Sequence, residues 1–201
     1  MTPMTTEEIA AALLRCADQV DSFAPELNRL DAQLGDGDLG ATLQKCAVQI
    51  RSALATPAGS PDELFRQCAL ACTRASGSSF GTLLGVAFIA CAKQTAGQTA
   101  LAPNALPALL KSVLDALIAR GGAALGDKTV LDPLAAVQTA ITGHADRASQ
   151  YRAAVDAVDA TLATYRGKPN RIGRARMFAE RSIGLDDPGM VAFRCLLHAI
   201  A

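Results

Sequence analysis

The chain has 201 residues with zero net charge; half of them are hydrophobic, only 4% are aromatic, and Trp is absent. That length supports one domain with a sizeable core, here residues 1–201, and abundant Ala with few aromatics suits closely packed helices better than a sheet. The zero charge balance and the lack of any Lys/Arg run argue against nucleic acid or an anionic membrane as partner, and no apolar run approaches membrane length.

In chain order, the polar, acidic N-terminus reads as no signal peptide, which with six scattered cysteines predicts a cytoplasmic protein with reduced core thiols. Thr5–Glu8 forms a T-x-x-E capping box that opens a helix with Ile9, Leu13, Cys16 and Val20 on one face. Pro25 predicts a break and a short second helix, from Glu26 to about Leu34. A third helix is expected from about Gly40 to Ala55. Ser60-Pro61-Asp62-Glu63 starts a fourth, which buries Leu64, Cys68 and Cys72. Further helices are expected over about 80–94, 107–119, 131–142 and 146–165. Gly167 to Ile183 reads as a basic connection, and Asp187-Pro188-Gly189 starts the last helix. No strand alternation and no internal repeat is visible. The expectation is an all-α fold of eight or nine helices.

The stretch richest in chemistry is Leu27–Thr42, where Asp31, Asp36 and Asp38 fall within eight positions, interspersed with Gly35, Gly37 and Gly40. Glycine opens φ > 0 and lets the backbone turn sharply, so the three carboxylates can converge. Converging carboxylates repel at low dielectric, and a hard divalent cation removes that cost. Mg²⁺ characteristically bridges a few carboxylates and a polyphosphate, so the loop is a candidate Mg²⁺–phosphate site. An EF-hand does not fit, because Gly40 stands where its third ligand belongs. A plain polar turn is the alternative reading of this loop taken alone.

Three later stretches concentrate glycines and polar groups. If the helices run up and down, alternate connections share an end, and all four stretches can share one mouth. Ser76-Gly77-Ser78-Ser79 precedes a helix whose free N–H groups and dipole suit a phosphate, and Gly77 permits close approach. It reads equally as an ordinary helix cap, and it is no Walker A loop. Arg171, Arg174, Arg176 and Arg181 offer forks that match phosphate oxygens, or form a solvated surface with Glu180. Lys128 reads either as a phosphate ligand or as a partner of Asp127 or Asp132. His144 and His198 read as surface residues.

Together, L-N-R-L-D-A-Q-L-G-D-G-D-L-G, A-S-G-S-S-F-G-T, G-D-K-T-V-L-D-P-L and G-R-A-R-M-F-A-E-R-S-I-G-L-D-D-P-G resemble the nucleotide-binding subunit of dihydroxyacetone kinases. In single-chain kinases this unit is the C-terminal domain. The resemblance spans about Leu27 to Gly189, with the motifs in the family's order and spacing. It implies an antiparallel up-and-down barrel of about eight helices. It implies that Asp31, Asp36 and Asp38 hold two Mg²⁺ ions bridging the phosphates of ADP or ATP. Leu39, Gly40, Ala41 and Thr42, with Ala75, Ser76 and Gly77, would lie against the phosphates. Gly121, Val130, Arg174, Asp187, Pro188 and Gly189 would line the nucleotide pocket.

The resemblance also implies a partner, a substrate-binding dihydroxyacetone kinase subunit that holds the ketose. In one branch the phosphoryl group comes through a phosphocarrier protein and ADP stays resident; in the other, ATP is consumed. The resident-ADP branch tends to carry His where this chain has Leu39, which favours ATP here. Thr73 and Arg74 stand where a Gly pair often precedes A-S-G. A non-catalytic ADP-binding regulator would present the same residues.

Overall fold

The computed structural model describes residues 2–75, 78–144 and 146–201. Among these, β1 (Met4–Thr5) leads into α1 (Thr6–Leu34), followed by α2 (Leu39–Leu54), α3 (Pro61–Ala75) and α4 (Ser79–Gln94). After β2 (Ala100–Leu101) and a 3₁₀ turn at Pro103–Ala105 come α5 (Leu106–Gly121), α6 (Leu131–Ala140), α7 (Arg147–Arg166), a 3₁₀ helix at Arg174–Ser182 and α8 (Pro188–Ala199). Each helix packs on the next, and α8 returns to α1, which closes an all-α barrel as expected. No helix among the described residues is long and apolar enough to cross a membrane.

The helix starts follow the local chemistry predicted for them. At α1 the Glu8 amide donates to Thr5 Oγ1 at 3.3 Å and the Thr5 amide to Glu8 Oε2 at 3.0 Å, which satisfies two orphan donors reciprocally. Asp187 caps α8 by accepting from the Met190 amide at 2.9 Å, with Pro188 in the first helical position.

The expected break at Pro25 does not occur, and α1 runs for 29 residues straight through it. Proline removes the hydrogen bond to the Asp21 carbonyl. Asp21, Ser22 and Pro25 all face solvent, so water can serve that carbonyl, while Val20, Ala24 and Leu27 hold the opposite face in the core. Two further expectations need correction. Met4–Thr5 pairs with Ala100–Leu101 as a two-stranded antiparallel ribbon, and the 167–183 connection contains a nine-residue 3₁₀ helix.

The core runs round the ring in contiguous patches. Val20, Leu27, Leu43, Cys46 and Cys72 join α1, α2 and α3, with Ala192 of α8 among them. Val113, Leu117 and Leu134 join α5 to α6, and Val137, Val158 and Met190 join α6, α7 and α8. All six cysteines are free, three of them buried.

This topology sorts the connections by end. The β1–β2 ribbon ties the start of α1 to the loop before α5, and Arg147, the first residue of α7, donates to the Thr2 carbonyl at 3.1 Å. That end holds the connections after α2, α4 and α6. Among the described residues, the other end holds 35–38, 78–79, 122–130 and 167–187, which overlap the four glycine-rich stretches expected to share a mouth. Contacts across it agree: Phe80 lies beside Gly189, and Leu83 beside Gly121.

The α1–α2 crossing beside the mouth is very close. A Cβ on Gly40 would meet the Ala24 carbonyl oxygen at 2.0 Å, where backbone cannot yield. Gly40→Ala is expected to destabilise the fold by about 3 kcal/mol, at the upper end of typical overpacking penalties. Denaturant unfolding measures it; a midpoint equal to the parent's would show that the two helices can part without cost.

Candidate functional site

The acidic loop is built by three local devices. Asp31 sits in the last turn of α1, one turn beyond Asn28. Its Oδ2 accepts from the Asp38 amide at 2.9 Å, which folds the loop back on the helix. Gly37 makes the reversal at φ +75°, a region that side-chain-bearing residues rarely adopt. Asn28 Oδ1 accepts from the Ala41 amide at 3.1 Å and so fixes the first turn of α2 against α1.

The outcome is that Asp31, Asp36 and Asp38 each bring one carboxylate oxygen to within 4.8 Å of the others, with Asp31 half-buried and the other two exposed. Hard oxygen donors at an exposed rim, with room for water to complete a coordination shell, fit Mg²⁺. Arg174 reaches this cluster from the 3₁₀ helix and pairs with Asp36. Its side chain is 63% exposed, so this charged group reaches the carboxylates across open solvent-facing surface.

The other expected residues fall as follows. Leu39 opens α2, but its side chain is only 7% exposed and packs in the core, so only its backbone faces the loop. The first-turn amides of Leu39 and Gly40 lie outside the helix's own hydrogen-bond ladder. Thr42 is buried, and its amide donates to the Asp38 carbonyl at 2.8 Å. Ala75 ends α3; Ser76 and Gly77, both expected at the phosphates, lie outside the described residues. Ser78 caps α4 by accepting from the Gly81 amide at 3.3 Å. Gly121 ends α5, Val130 immediately precedes α6, and Asp187, Pro188 and Gly189 stand at the start of α8. The mouth therefore gathers helix starts α2, α4, α6 and α8, each contributing a positive dipole end. His144 and His198 are exposed, as expected.

Neither reading of Lys128 holds. It is fully buried and its Nζ donates to the carbonyls of Lys168 at 2.7 Å, Ser182 at 2.9 Å and Arg166 at 3.4 Å. Its two expected acidic neighbours serve backbone amides instead: Asp127 accepts from Ala124, and Asp132 from Gly126 and Thr129. Burial lowers the Lys128 pKa, against the pull of Asp187 and Asp186. Burial likewise pushes the Asp187 carboxyl up to about 6, although the Met190 amide, Asn170 and Lys128 favour its charged form. Asn170 Nδ2 bridges the Lys128 carbonyl at 3.0 Å and Asp187 Oδ2 at 2.8 Å.

Sequence reasoning did not single out Asn28, Asn170 or Ser182. Asn28 carried a signal, since it lies one helical turn before Asp31 and so shares its face. Asn170 and Ser182 act across long sequence separations, which spacing does not reveal.

Residues 33–201 match the family model described as the DAK2 domain. Over 96% of its length the chain is 33% identical to D-erythrulose kinase of Mycolicibacterium smegmatis, of which it covers 34%. It is 31% identical to the "PTS-dependent dihydroxyacetone kinase, ADP-binding subunit DhaL" of Lactococcus lactis, over 87% of this chain and 88% of that one. Among solved structures, the dihydroxyacetone kinase of C. freundii superposes on all of this chain with a TM-score of 0.77 and 25% identity, and 35% of the kinase is covered. The chain thus spans about a third of the length of the first relative and of that solved kinase. With its all-α fold, its acidic loop and a match over most of its length, the chain belongs to the DAK2 domain family of kinases and their nucleotide-binding subunits.

Proposed function

We propose that this chain is the Mg²⁺-dependent, nucleotide-binding unit of a dihydroxyacetone-type kinase. It passes a phosphoryl group from ATP to dihydroxyacetone, or a similar short ketose, held by a substrate-binding partner subunit or domain. The observation that carries this reading is the convergence of Asp31, Asp36 and Asp38 within 4.8 Å of one another, with Arg174 alongside. Phosphoryl transfer asks mainly for positioning and charge neutralisation, which suits a site of three carboxylates, an arginine and helix starts without an evident general base.

Asp31, Asp36 and Asp38 would hold two Mg²⁺ ions, which offset the charge of the polyphosphate. The amides at the start of α2, and residues 75–77, would receive phosphate oxygens. Gly121, Val130 and Asp187–Gly189, all on the same rim, would border the nucleoside. Arg174 would exchange its pairing with Asp36 for a phosphate oxygen, a bidentate contact its planar fork suits.

A second reading is supported by the Lactococcus lactis relative, which aligns along 88% of its own length and is named as an ADP-binding subunit dependent on a phosphotransferase system. On that reading ADP is a resident cofactor, re-phosphorylated in place by a phosphocarrier protein. A regulatory protein that binds ADP without turnover is a third.

Melting the protein with ADP and Mg²⁺ tests the metal–nucleotide site. At a hundredfold excess over Kd, binding is expected to add about 2.7 kcal/mol of stability, and Asp36→Asn or Asp38→Asn should remove most of it. Stabilisation that survives both substitutions would place the metal elsewhere. Both variants should also lose phosphoryl transfer when assayed with a purified dihydroxyacetone-binding subunit.

Arg174→Lys keeps the charge but loses the fork, so nucleotide affinity should fall by about 1–3 kcal/mol in calorimetry. Affinity equal to the parent's would return Arg174 to the solvated surface.

Leu39 bears on the donor. Its side chain is turned into the core and offers no hydrogen bond to a phosphate, a contact worth about 1.5–3 kcal/mol, so nucleotide should exchange about tenfold faster or more than in a site that makes such a contact. Protein purified without added nucleotide should therefore lose it on dialysis and turn over on ATP with the partner present. Stoichiometric ADP after extensive dialysis, without turnover on ATP, would favour the resident-cofactor reading.

A further inference from the structure

Lys128 takes no part in the site described so far, yet its placement is costly twice over. Its backbone sits at φ +62°, in the left-handed region that disfavours side-chain-bearing residues, and its ammonium is fully buried. A position that only filled space would be served as well by an apolar side chain. An ammonium has three donors, and here all three are directed at backbone carbonyls.

Those carbonyls belong to one segment. Arg166 and Lys168 lie where it leaves α7, and Ser182 lies at the end of its 3₁₀ helix. Further bonds close the same knot. The Asn170 amide donates to Ser182 Oγ at 2.8 Å, the Arg171 amide to the Asp127 carbonyl at 3.1 Å, and the Gly184 amide to the Arg166 carbonyl at 2.8 Å. Between the two pinned points the chain runs out and back, and Arg174 lies on that excursion, in contact with Asp36. Beyond the second point, Asp187 opens α8 and is tied to the knot through Asn170.

We propose that Lys128 is a positioning residue for nucleotide binding: by clamping the two ends of the 167–187 strap together, it holds Arg174 at the carboxylate cluster and the start of α8 at the mouth. The role rests on the nucleotide-binding reading above. Lys128 itself touches no phosphate, because its donors are already taken.

The test is a double-mutant cycle on the full chain, with ADP and Mg²⁺ as the probe and calorimetry as the readout. Lys128→Met should weaken ADP binding by about tenfold to a hundredfold, the range seen when a residue that orients a ligand-binding group is removed. Arg174→Ala should weaken it as well, and the double variant should bind no more weakly than Lys128→Met alone, because a strap already displaced has no arginine contact left to lose. Hydrogen exchange should quicken at Asn170, Arg171 and Gly184 while the amides of α1, α2 and α3 stay protected. A lysine that served only overall stability would not give that coupling.

Lys128→Met binding within about twofold of the parent, or losses that combine multiplicatively in the double variant, would overturn the proposal. If Lys128→Met does not fold, Asn170→Ala removes the bridge between the Lys128 carbonyl and Asp187 and is held to the same two criteria. A parent protein that itself shows no heat with millimolar ADP and Mg²⁺ would overturn the nucleotide reading, and this role with it. A parent that binds beside an unaffected variant overturns the role of Lys128 alone.

Discussion

Three carboxylates within 4.8 Å of one another repel, and one end of the barrel is organised around holding them there. The fold spends backbone, not side-chain cations, on most of that task. The Asp38 amide is turned onto Asp31, and the dipole of α2 begins at Asp38 itself, so its positive end lies under the cluster. Among the described residues, only Arg174 is paired with one of these acids through a full positive charge, and it comes from far along the sequence. Turning the loop requires the left-handed backbone at Gly37, and seating α2 requires the missing Cβ at Gly40 against Ala24. The acids and the glycines of this stretch are therefore one device.

The barrel's topology does the rest. With an even number of helices running up and down and the last closing on the first, alternate connections necessarily share an end. Four loops distant in sequence become neighbours without long-range signals in any one of them. The opposite end is finished differently, with the β1–β2 ribbon and the Arg147–Thr2 contact tying the N-terminus down. The two ends thus divide the work, one closing the fold and the other gathering helix starts and charged groups.

Much of this was legible in the sequence wherever a local rule applied. The T-x-x-E box, the Ser-Pro-Asp-Glu start and Asp187-Pro188 marked helix starts because capping satisfies nearby donors and is written in adjacent residues. The convergence of Asp31, Asp36 and Asp38 was legible because glycines bracket them. Pro25 misled because its cost depends on which face it occupies, and solvent on that face lets α1 continue. The ribbon is two residues per strand, too short for any alternation to show. Lys128 was unreadable for a different reason. Its three acceptors are backbone carbonyls 38 to 54 residues away, and a carbonyl leaves no trace in residue identity.

Leu39 shows how a residue can belong to a site and to the core at once. Its side chain is buried with α1 and α3, so it anchors the start of α2, while its amide opens the helix beside the acidic loop. A polar side chain at this position must either leave the core or bury unsatisfied atoms, each at a cost to the seating of α2. In this chain the apolar anchor and the close Gly40–Ala24 crossing act together, fixing the helix start and leaving its amides, not its side chains, to meet a ligand.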